Sequence, residues 1–123
     1  MMKLTNNQIY TYATNLAAAF NDSTQKFPIK VNFYFQKNKE TLINMAQDIE
    51  KARMDLLSQY GHLDNEQNRF ILDEDKIAIA SQELEDLFNL EQEVNIYKVN
   101  IDSFGDDIVL TTGQMEALLF MID

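Results

Sequence analysis

The groups able to do acid–base or metal chemistry in this 123-residue chain are twenty carboxylates and a single histidine. His62 follows Gly61 in a polar stretch, with Asp64 and Glu66 as its acidic neighbours in sequence. General-base work needs a carboxylate or nucleophile placed around the ring in space. Proximity in sequence does not supply that, and the expectation is a solvent-exposed loop histidine. Asp64-Asn65-Glu66-Gln67-Asn68 sets oxygen side chains at alternate positions, as a calcium loop does, and Asp75 falls at the twelfth. Such a loop turns on a glycine at its sixth position. Arg69 stands there, and the apolar Phe70-Ile71-Leu72 follows. Asp102, Asp106 and Asp107 surround Gly105 and could hold Mg²⁺, but acids around a glycine are also ordinary turn chemistry. There is no Cys, no phosphate-cradling glycine loop and no Gly-x-Ser-x-Gly, so the familiar nucleophile and nucleotide signatures are missing. The expectation is a non-enzymatic protein with no catalytic residue, no cofactor and no metal site.

What the carboxylates do form is an asymmetry. Up to Gly61 the chain carries seven bases and five acids; from His62 onward it carries three bases and fifteen acids, so the halves stand at +2 and −12. The acids concentrate at Asp73, Glu74, Asp75, Glu83, Glu85, Asp86, Glu91 and Glu93. A patch of this sign can imitate the charge of nucleic acid towards a basic groove, or steer any cationic protein surface. A solvated helix face accounts for each of these residues taken singly. Direct nucleic-acid binding is not expected, because phosphate contacts need clustered Lys and Arg. No run of about 18 apolar residues suggests a membrane span, and MMKLTNNQIY lacks the apolar stretch of a signal peptide. The absence of Cys permits an intracellular setting.

The length is that of one domain, 1–123, and an apolar content of 46% is enough for a core. Thr5-Asn6-Asn7-Gln8 has the form of a capping box and opens a helix to about Asn21, with Ile9, Tyr12 or Ala13, Leu16, Ala17 and Phe20 on one stripe. Asp22-Ser23-Thr24-Gln25 reads as a turn. Pro28 suits the start of a second helix, which runs unbroken to Tyr60, with Phe35, Leu42, Ile49 and Leu56 at seven-residue spacing and Gly61 as its stop. Val31–Phe35 alternates enough for a strand, while the unbroken run after it favours helix. At about 1.5 Å per residue that helix is roughly 45–50 Å long, so either its end projects or something packs along it; its stripe could also join copies into a homo-oligomer. A short strand at Phe70–Leu72 precedes a third helix, for which Asp73-Glu74-Asp75 suits the start and Ile77, Ala80, Leu84, Leu87 and Phe88 form the apolar stripe, ending near Asn89. Val94–Ile101 is rich in β-branched and aromatic residues and reads as a strand, with Ile108–Leu110 as its hairpin partner. Thr111-Thr112-Gly113-Gln114 repeats the capping box before a terminal helix to Ile122, whose apolar face is Met115, Leu118, Leu119 and Ile122. The whole is α+β: mostly helical, with a long central helix, a small antiparallel β-hairpin and a short C-terminal helix, the first and last helices lying beside the long one.

Four segments, KLTNNQIYTYATNL, FPIKVNFYFQKNKETL, NLEQEVNIYKV and LTTGQMEALLFMID, together resemble a family of small proteins of unknown function encoded by phages and prophages of Gram-positive bacteria. The resemblance spans nearly the whole chain, and its motifs are structural. It implies a phage origin and the cytoplasm of a bacterial host. Joined to the acidic half, it leads to the expectation of a protein-binding inhibitor of a host nucleic-acid-binding defence protein, anti-CRISPR-like, whose partner has a basic surface. The alternative expectation is a virion or tail-assembly protein or chaperone.

Overall fold

The computed structural model describes residues 1–20 and 27–123, so the turn expected at Asp22–Gln25 lies outside the described residues. Strand β1 (Met2–Thr5) leads into helix α1 (Asn6–Ala19). Both halves of the capping box are made: Gln8 N donates to Thr5 Oγ1 at 3.1 Å, and Thr5 N donates to Gln8 Oε1 at 2.9 Å. They satisfy two of the amide groups that a helix start leaves without partners. Ile9, Ala13, Leu16 and Phe20 of the expected stripe are buried, whereas Ala17 at its edge is exposed.

Helix α2 (Ile29–Tyr60) runs 32 residues, about 48 Å at 1.5 Å per residue. Val31–Phe35 is helical. Val31 and Phe35 carry the buried stripe directly into Asn38, Leu42 and Ile49, and the aromatic rings of Phe20, Phe27, Phe35 and Phe104 close over its start. Past Ile49 no residue of α2 is fully buried. That far half is covered by a hairpin of β2 (Gly61–Asp64) and β3 (Arg69–Leu72), and by α3 (Ile77–Asn89), which follows a 3₁₀ turn at Glu74–Lys76. The length of α2 is thus explained by elements packed along it.

Gly61 ends α2, but not as a left-handed cap: its φ of −150° is extended backbone. Glycine is needed because a Cβ there would run into the carbonyl oxygen of Ile71 across the hairpin and lie 3.0 Å from that of Leu57. Gly61→Ala is therefore expected to lower stability by about 1–3 kcal/mol through forced backbone displacement. The measurement is chemical denaturation beside His62→Ala, an exposed neighbour expected to stay within about 0.5 kcal/mol.

The small hairpin sits at 61–72, not at 94–110. Strand β4 (Glu91–Val94) pairs antiparallel with β1, Leu4 opposite Gln92, and Asn6 N adds a 2.8 Å bond to Leu90 O. Residues 95–98 belong to no strand, and Ile108–Leu110 pairs with nothing. Val94, Ile96 and Val99 of this segment are nonetheless buried in the core. Their backbone is satisfied otherwise. The Asn38 side chain bonds Tyr97 N and O at 2.8 and 2.9 Å, and Val99 forms a single parallel bridge to Ile122.

Helix α4 (Thr112–Leu118) opens on the second capping box and ends in a 3₁₀ turn, Leu119–Met121. It packs on α1, where Gln114 Nε2 donates to Ala19 O at 3.2 Å, and reaches α2 through Met121 Sδ, 3.6 Å from Asn38 Nδ2. Ala117, Leu118, Phe120 and Met121 are buried, while Leu119, expected on the apolar face, is 59% exposed. The face that packs inward is Gln114, Ala117, Leu118 and Met121, at three- and four-residue spacing, which leaves Leu119 on the outward side. The architecture is mostly helical α+β, with a long helix, a small antiparallel hairpin and a short C-terminal helix.

Candidate functional site

The expected acidic residues run from the end of the hairpin, along α3, to β4. Asp73 leaves β3, and its Oδ1 lies 3.0 Å from His62 Nδ1. His62 is on strand β2 opposite Ile71, not in a loop, and its carboxylate neighbour is Asp73 rather than Asp64. Both side chains are largely exposed, so the pair contributes little to stability. Glu74 and Asp75 stand exposed in the 3₁₀ turn just before α3, where carboxylates are favoured by the positive end of the helix dipole.

Within α3 the acids divide. Ala80 is its one fully buried residue, and Leu84, Leu87 and Phe88 flank it half-buried. Glu83 lies at the edge of that stripe and accepts a 2.9 Å hydrogen bond from the Tyr60 hydroxyl. That bond holds the Tyr60 phenol above its usual pKa. Glu85 and Asp86 point outward, about 100° apart around the axis, and Asp86 Oδ1 accepts from Gln82 Nε2 at 3.0 Å. Glu91 and Glu93 share one face of β4 beside Lys3, whose Nζ is 3.4 Å from Glu91. Among the described residues, then, Asp73, Glu83, Asp86 and Glu91 have partners within the chain. Glu74, Asp75, Glu85 and Glu93 make no side-chain hydrogen bond or ion pair.

Apolar groups stand exposed between these carboxylates: Ile77 at 47%, Ile79 at 48% and Leu90 at 56%. Ile77 belongs to the stripe the periodicity assigns to the core, and its exposure follows from how little of α3 is covered. Nothing in the sequence flags Ile79 or Leu90, since a lone apolar residue on a polar face carries no periodic signal.

The calcium-like spacing turns out to be the hairpin turn. Asp64 Oδ1 accepts from Glu66 N at 3.0 Å, and Asn68 takes the left-handed conformation at φ +51°. Asp75 lies beyond β3. Asp102 belongs to a 3₁₀ turn, its amide bonded to Asn100 Oδ1, and Gly105 at φ +82° ends that turn. Among the described residues no three His, Cys, Asp or Glu side chains lie together as a metal ion would need.

Two clefts lie elsewhere. One of about 410 Å³ is lined only by apolar residues and Gly105, among them Phe104, Leu110 and Met115. Another, of about 390 Å³, runs between α2 and the hairpin past Arg53, Arg69 and Phe70. Arg53 is already engaged by Glu50 through bonds of 2.6 and 3.0 Å. The guanidinium holds the Glu50 carboxyl below its usual range, and the carboxylate holds Arg53 above its own.

No family model, curated protein or solved structure matches the chain. No helix among the described residues is long and apolar enough to cross a membrane.

Proposed function

We propose that this protein acts by binding a basic protein through the α3 edge, as a phage-encoded, non-enzymatic inhibitor of a host nucleic-acid-binding defence protein in the bacterial cytoplasm. The reading is carried by one juxtaposition. The carboxylates without partners among the described residues, Glu74, Asp75, Glu85 and Glu93, are interleaved with the exposed Ile77, Ile79 and Leu90. A nucleic-acid groove presents Arg and Lys to phosphates, so carboxylates steer approach to it and set register. Affinity in protein interfaces comes mainly from apolar anchors that become fully desolvated. This edge has both kinds of group.

Exchanging Glu85 and Asp86 for lysine is expected to weaken capture of such a partner on the order of tenfold or more, chiefly by juxtaposing like charges. The check is a pull-down from Gram-positive host lysate at low and high salt, with wild type and the double variant side by side. A nucleic-acid-binding protein held by wild type, released by salt and missed by the variant supports the proposal. Indifference to both salt and charge reversal sinks it.

A second reading, a virion or tail-assembly component, is favoured by the start of α2, where Ile29 is 89% and Phe33 54% exposed. Presence of the chain in purified particles is its test.

A further inference from the structure

We infer that the start of α2, with residues 97–98 beside it, is a docking face for the acidic α3 edge of a second copy, so that the protein associates head to tail. The inference rests on the reading of that edge as a docking surface and adds its counterpart. From Ile29 to Lys39 the helix has no acid; its outward side carries Lys30, Phe33 and Lys37. Lys30 Nζ lies 5.7 Å from the centre of the Tyr34 ring, and Lys37 Nζ 5.7 Å from that of Phe33. Tyr34 stacks on Tyr97 with centroids 5.0 Å apart. Asn38 fixes that stack by bonding both backbone groups of Tyr97. Lys98 follows, exposed. None of these three lysines is in an ion pair among the described residues.

The face is cationic and aromatic, and its occupant must be acidic with apolar side chains. Bases of single-stranded nucleic acid bind such surfaces by stacking on free ring faces. Here Tyr34 is engaged by Tyr97 and Lys30, and Phe33 by Lys37. The α3 edge of another copy supplies what fits: Glu74, Asp75, Glu85 and Asp86 for the lysines, with Ile77 and Ile79 for the ring edges. One molecule cannot satisfy itself. Tyr34 and Tyr60, the latter bonded to Glu83 of α3, are about 40 Å apart along the helix, several times the screening length of about 8 Å at physiological salt. Two different faces meeting make a heterologous contact, which repeats into rings or open chains instead of closing as a two-fold dimer.

Sedimentation velocity of the full chain over a concentration series tests this. At low salt the average mass should at least double with rising concentration; at high salt it should stay monomeric. Lys30→Glu with Lys37→Glu should abolish association, and so should Glu85→Lys with Asp86→Lys. Each double variant keeps one intact face, so a mixture of the two should associate where neither does alone. Phe33→Ser, which alters no charge, should weaken association on the order of tenfold. A wild type that stays monomeric at low salt overturns the inference. So does a salt-insensitive oligomer retained by both double variants, or retention of a fluorescent single-stranded oligonucleotide that Lys30→Glu with Lys37→Glu abolishes. A monomer that still captures a basic partner overturns this inference alone. Head-to-tail association without any salt-released basic partner upholds it and removes the inhibitor reading.

Discussion

Asn38→Ala is expected to destabilise the protein by about 2–5 kcal/mol, because it removes a fully buried side chain that answers both backbone groups of Tyr97. Asn38 is fully enclosed; its amide bonds Tyr97 N and Tyr97 O and touches Met121 Sδ. A polar side chain in the middle of an apolar stripe is normally costly. Here the stripe uses it as a substitute strand, answering both the donor and the acceptor of the segment that follows β4. Alanine leaves the N–H and C=O of Tyr97 without the side chain that answers them, and a small void beside Met121. Urea denaturation reads the loss directly. Gln36→Ala, on the exposed side of the same helix, should stay within about 0.5 kcal/mol. A loss under about 1 kcal/mol for Asn38→Ala would mean that residues 95–100 are not anchored through this side chain.

Leu118→Ala is expected to cost about 2–5 kcal/mol, the range for removing a wholly buried leucine and leaving a cavity. Leu118 has no exposed surface, whereas Leu119 beside it is 59% exposed. Leu119→Ala should change stability by no more than about 0.5 kcal/mol. The two neighbours together distinguish a docked terminal helix from a frayed one. Equal small losses would show that α4 contributes little to the core, and equal large ones that its inward face is broader than the structure has it.

Features written in neighbouring residues were legible in the sequence. Both capping boxes, Thr5 with Gln8 and Thr111 with Gln114, need only four residues each and form as read. The unbroken helix to Tyr60 needs only an apolar period without Pro or Gly. Features depending on distant residues were not legible. MKLT is too short to announce a strand, and its partner Glu91–Val94 lies almost ninety positions away. VNIYKVNI has the composition of a strand because Val94, Ile96 and Val99 are buried, and burial is what β-propensity chiefly records. What pairs with its backbone was decided by Asn38, some sixty positions earlier. The acidic residues were identifiable as a group, but their division was not. That Glu83 is drawn aside by Tyr60 while Glu85 stays free depends on how α3 lies along α2.

The pairing of β1 with β4 also has a consequence for how the chain is made. The first strand waits for residues 91–94, and the side of α1 that faces α4 is not covered until Leu118, Phe120 and Met121 arrive. The rest can settle earlier, α1 on α2 and α2 on the hairpin and α3, because those contacts join elements near in sequence. During synthesis at about 5–20 residues per second, α1 therefore spends several seconds without the cover that α4 gives it. Closing such long loops is the slow step in forming non-local contacts. The nascent chain is thus open to capture by chaperones or proteases until its last helix has emerged.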